Sequence, residues 1–72
     1  MSPEERVLRQ AVEALAFEGV LRPVRGGWMV GGLIIRAAHH VQASGRVRLL
    51  GIPMLDDGRP LTAEALGRGL RA

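Results

Sequence analysis

"EALAFEGVLRPV", residues 13–24, is where this chain changes its period. Before Gly19 the apolar residues recur every three or four positions, and after it they alternate or cluster between glycines, so a helix gives way to strands. Glycine takes the left-handed conformation that ends a helix at no steric cost, which makes Gly19 a C-cap. At the other end Ser2, Pro3 and Glu5 form a capping box with proline in the first helical position. The predicted helix is therefore Pro3 to Glu18. At about 100° per residue Val7, Leu8, Ala11, Val12, Ala14 and Leu15 share one arc, and Glu5, Arg6, Arg9, Gln10 and Glu13 the other. Phe17 then falls toward water, and Glu18 falls where the helix should be burying something.

Beyond Gly19, "VLRPV" is short and β-leaning, and "WMVGGLIIRAAHHV" carries the aromatic and β-branched residues of strands. Gly31 and Gly32 supply either a hairpin turn, the preferred reading, or a bulge within one bent strand, and "ASG" at 43–45 a second turn. "RVRLL" alternates with period two, as a half-buried strand does. "GIPMLDDGRP" is loop chemistry. In "LTAEALGRGLRA" Thr62 is an N-cap for a short helix, which Gly67 and Gly69 each weaken by roughly 1 kcal/mol. The expected fold class is α+β: one domain over residues 1–72, its N-terminal helix packed on a small antiparallel sheet, with a short C-terminal helix. The sheet is expected to include Leu33 to Ala38 and Arg46 to Leu50. The expected core is Val7, Leu8, Ala11, Val12, Leu15, Trp28, Ile34, Val47 and Leu49.

Composition narrows the function. The 72 residues contain no cysteine, which excludes a disulfide framework and a thiolate zinc site and points to the cytoplasm. No apolar run is long enough to span a bilayer, so no membrane role is expected. The net charge of +3 comes from ten arginines and no lysine. They are spread along the chain, not clustered as in a nucleic-acid binder, which makes nucleic acid the less favoured partner.

Each candidate for chemistry has a simpler reading. His39 and His40 are adjacent, and neighbours on a strand point to opposite faces, so they cannot chelate one metal side by side. Asp56 and Asp57 precede Gly58, a turn-forming arrangement. "GGWMVGG" lacks the lysine and serine or threonine of a phosphate-binding loop and opens no helix. Phe17 and Trp28 are too few for a base-stacking platform and read as core or interface anchors. No serine or threonine has a neighbouring base and orienting group. Catalytic and metal-binding residues are accordingly none.

Taken together, "RVLRQAVEALAFEGVL", "WMVGGLIIRAA" and "SGRVRLLGIP" resemble the N-terminal segment of the IucA/IucC family, the ATP-dependent synthetases that condense citrate or related carboxylates with amines to make siderophores. The resemblance implies the thumb of a hand-like fold, whose fingers and palm hold the nucleotide and carboxylate. It implies ATP and magnesium for the full-length family, no cofactor for this chain alone, and a structural or docking segment inactive by itself. Glu18 belongs to the helix-end phrase, and a buried or capping role, paired with a nearby arginine, is preferred to substrate contact because an unpaired buried charge is costly. The alternative is a small basic nucleic-acid module, the helix and following hairpin arranged like a winged helix. Nearly half the residues are hydrophobic, more than a domain this small can bury, so a homo-oligomer or the remainder of a longer synthetase is the expected partner, with an exposed sheet edge as a natural place to pair.

Overall fold

The computed structural model describes residues 1–72. Helix α1 spans Pro3–Glu18 and starts as its cap dictates: the Ser2 hydroxyl accepts the Glu5 N–H at 3.1 Å. Gly19, left-handed at φ 81°, ends it by donating to the Ala16 and Leu15 carbonyls. Six short strands follow: β1 (Arg22–Val24), β2 (Gly27–Val30), β3 (Leu33–Arg36), β4 (His39–Val41), β5 (Val47–Leu49) and β6 (Met54–Leu55). Helix α2 (Ala63–Arg71) closes the chain, its first turn capped by the Thr62 hydroxyl at 3.1 Å from the Ala65 nitrogen.

The α+β class is as expected, with a finer division. A four-stranded antiparallel sheet runs in the order β1-β2-β3-β6, and β4 and β5 form a separate two-stranded ribbon. The two stretches expected in one sheet thus belong to two. Strand β3 stops at Arg36, and after Ala37 and Ala38 the chain re-pairs as β4 with β5. Gly31 and Gly32, at φ 52° and 80°, make the tight β2–β3 hairpin with Val30 opposite Leu33. At the ribbon's turn the Gln42 N–H donates to Arg46 at 2.8 Å, as does the Gly45 N–H to Gln42.

The core lies on one face of the large sheet, with α2 packed on β3 and α1 on β5 of the ribbon. Alternation turns Trp28 and Ile35, register partners, to that face, where they join Val12, Leu21, Leu49, Leu61, Ala65 and Leu66 in one cluster. Of the expected core, Val12, Trp28 and Leu49 are buried, and Leu8, Ala11, Leu15 and Val47 pack against them half-buried. Two assignments are corrected. Val7 is 65% exposed, because α1 is rotated so that Ala16 joins the packed side and Arg9 and Glu13 turn toward β5. Ile34 faces outward, because strand phase puts Ile35 inside; in "LII" either phase buries an apolar residue, so the spacing alone does not choose.

Helix α2 owes its place to a glycine. Gly69 is buried against the β2–β3 hairpin, where a Cβ would lie 3.0 Å from the Leu33 Cβ and 3.2 Å from the Val30 carbonyl. The residue that weakens the helix intrinsically is what lets it approach the sheet.

Candidate functional site

The ribbon is fixed to α1 by its backbone. In an antiparallel pair alternate residues turn their N–H and C=O away from the partner strand. Leu49 is such a residue, and one turn of α1 satisfies both groups: its N–H donates to Glu13 Oε2 at 2.8 Å, and its carbonyl accepts from Arg9 Nη2 at 3.0 Å. Arg9 Nη1 also donates to the Gly51 carbonyl at 2.8 Å. Arg9 and Glu13, expected on the wet arc, are half-buried structural groups.

The two outer edges of the large sheet are blunted as well. Pro23 in the middle of β1 has no N–H to offer a further strand. On the far side, Met54 of β6 bridges to Pro60, and the Leu55 N–H donates to the Arg59 carbonyl at 2.7 Å. Pairing through a sheet edge, the natural route from sequence, is thus blunted at both ends of the large sheet.

The adjacent histidines point opposite ways, as expected. His39 packs inward on Trp28, with ring centroids 4.4 Å apart and planes at 45°, and its Nδ1 lies 2.9 Å from the Ala37 carbonyl. His40 is exposed opposite Arg48 in the ribbon register. No three histidine or carboxylate side chains come together as a metal set. Asp56 accepts from Arg36 Nε at 2.8 Å, and Asp57 accepts from the Arg59 backbone N–H at 3.0 Å and its Nε at 2.7 Å. The backbone N–H of Arg59, more than its guanidinium, holds the Asp57 carboxyl below the ordinary value of 3.8, outweighing desolvation, which acts the other way. The two aspartates are structural, the second forming the turn foreseen for it.

Glu18 corrects an expectation. It is exposed at the end of α1, and none of the three ion pairs includes it, so it is neither buried nor paired. Helix closure leaves it no task, since Gly19 supplies the cap. Phe17 is 51% exposed, with the Arg46 guanidinium 5.6 Å from its ring centre.

The outer face of the large sheet is covered only in part: Arg22, Met29 and Arg36 are exposed there, and Val24, Ile34 and Met54 half-buried. The register aligns Arg22, Met29 and Ile34 in one row and Val24, Gly27, Arg36 and Met54 in the next. None of these side chains belongs to the core cluster or packs against it. Leu50 and Ile52, 63% and 64% exposed, border the same hollow as Arg36 and Met54 and extend the apolar surface. Sequence reasoning missed this face because apolar strand residues read as core. A second open apolar surface, a groove between α1 and α2, is lined by Val7, Leu8, Ala11, Leu66 and Leu70. No helix of the chain is long and apolar enough to cross a membrane. Comparisons with protein families, curated proteins and solved structures find no match to this chain.

Proposed function

We propose that this chain is a non-catalytic docking module. The observation that carries the reading is the contrast between the blunted edges of the large sheet and its apolar outer side: a sheet that resists strand addition yet leaves Met29, Leu50 and Ile52 exposed beside half-buried Ile34 and Met54 engages partners through side chains. The resemblance of three phrases to the IucA/IucC thumb supports a finer proposal: the module is the N-terminal structural segment of an ATP-dependent carboxylate–amine ligase, and its partner is the remainder of such a synthetase or a second copy. ATP and magnesium then belong to that remainder.

Pyrophosphate release from ATP, magnesium, citrate and a diamine tests both levels. The isolated chain gives none above background. Added to the fingers and palm of a siderophore synthetase lacking its thumb, it binds and raises turnover. Saturable turnover by the chain alone overturns the non-catalytic reading, and failure to bind or stimulate the fragment overturns the ligase assignment.

A further inference from the structure

We infer that the outer face of the four-stranded sheet docks an acidic amphipathic helix of a partner protein; this rests on the docking-module reading and specifies its partner. A sheet in an α+β domain is stable with helices on one face, and an apolar second face wants a further layer. Here α2, the ribbon and the α1 that packs on it share one core with Trp28 and Ile35 on the inner side, so neither helix supplies that layer. The apolar part of this face is exposed Met29 among half-buried Val24, Ile34 and Met54, with exposed Leu50 and Ile52 at its border. Methionine is unbranched and polarizable and adapts to varied partners, which suits a docking surface.

The charges around this centre select the partner's sign. Arg22 stands in the first row beside Met29, and Arg25 lies at the β1–β2 turn; both are exposed and neither has an ion-pair partner. Arg36, in the second row, donates to Asp56 at 2.8 Å and to the Arg25 carbonyl at 2.6 Å. Three guanidinium groups against one carboxylate leave the rim positive. Its complement is an apolar stripe flanked by Glu or Asp. The blunted edges of the large sheet disfavour an added strand beside this face, and the absence of an aromatic side chain from the face removes the stacking platform that single-stranded nucleic acid uses. A helix presenting leucines between carboxylates satisfies every term.

The test uses the isotope-labelled chain and NMR shift mapping, which detects weak complexes. One probe is a helical peptide of about 18 residues with a leucine stripe flanked by glutamates; the controls are the same peptide with lysines and a short DNA duplex. The glutamate probe is expected to move the amide signals of Arg22, Met29, Ile34 and Ile52, with affinity falling as salt rises. R22E/R25E is expected to weaken it roughly tenfold, and M29S/I34S to weaken it without altering the circular dichroism spectrum. Equal or tighter binding of the lysine probe, DNA moving the same signals, or sheet-face signals that shift when the chain alone is diluted would overturn the inference. If the glutamate probe leaves the face unmoved but the fingers-and-palm fragment moves it, the acidic helix fails and the docking module stands. If neither moves it, both fail.

Discussion

The Glu13 carboxylate holds the Leu49 N–H at 2.8 Å, across 36 residues of sequence. With Arg9 on the Leu49 carbonyl it makes a side-chain substitute for a missing strand. E13A strands a half-buried amide donor and is expected to cost about 1–3 kcal/mol in urea unfolding. E13Q keeps an acceptor oxygen and should cost less. Equal losses for the two would mean that the hydrogen bond contributes nothing beyond packing.

The phase of β3 separates two neighbouring isoleucines. Ile35 is fully buried, so I35A should destabilise by roughly 2–5 kcal/mol, whereas I34A on the outer face should cost far less. Denaturation midpoints of the pair read the register directly, and the reverse order would place the strand one residue out of phase.

Two glycines in α2 should respond with opposite sign. A Cβ at Gly67 meets only the mobile end of Arg71, 3.1 Å away, so G67A should stabilise by up to about 1 kcal/mol. A Cβ at Gly69 meets the Val30 carbonyl at 3.2 Å and Leu33 at 3.0 Å, so G69A should lower the melting temperature.

Asp57 makes the turn after β6 acid-sensitive. Its carboxyl is depressed in the folded chain, so the charged form favours folding. That contribution is complete above the ordinary value of 3.8 and disappears as pH falls through the depressed folded value. D57N should flatten the acid limb of the stability profile, leaving stability above that window less dependent on pH. An unchanged acid limb would show the turn to be indifferent to the charge.

Local signals carried most of the fold. The cap at Ser2, the glycines at 19, 31 and 32 and the Thr62 cap each act within a few residues, which is why both helices and the β2–β3 hairpin are readable in the chain. The split of the sheet is not, because "LIIRAAHHV" has no glycine or proline to mark where one pairing ends and another begins. Arg9 and Glu13 read as solvent-facing because their partners, Leu49 and Gly51, are backbone groups about 40 positions away. The open face was hidden by its own composition: methionine and isoleucine on a strand carry no mark of which side lacks cover.

The closed edges also bear on behaviour in a crowded solution. A strand with unpaired amides is a template on which a neighbouring chain can extend a sheet without limit, the route to fibrils. Here Pro23 blunts one edge of the large sheet, the turn ending in Pro60 covers the other, and the Arg9–Glu13 turn spends the outward groups of Leu49. The sticky apolar face therefore meets neighbours only through side chains, whose contacts are finite and reversible. Concentrating the chain should therefore not build a growing cross-β ladder from the large sheet, and its sheet-face signals should stay in place.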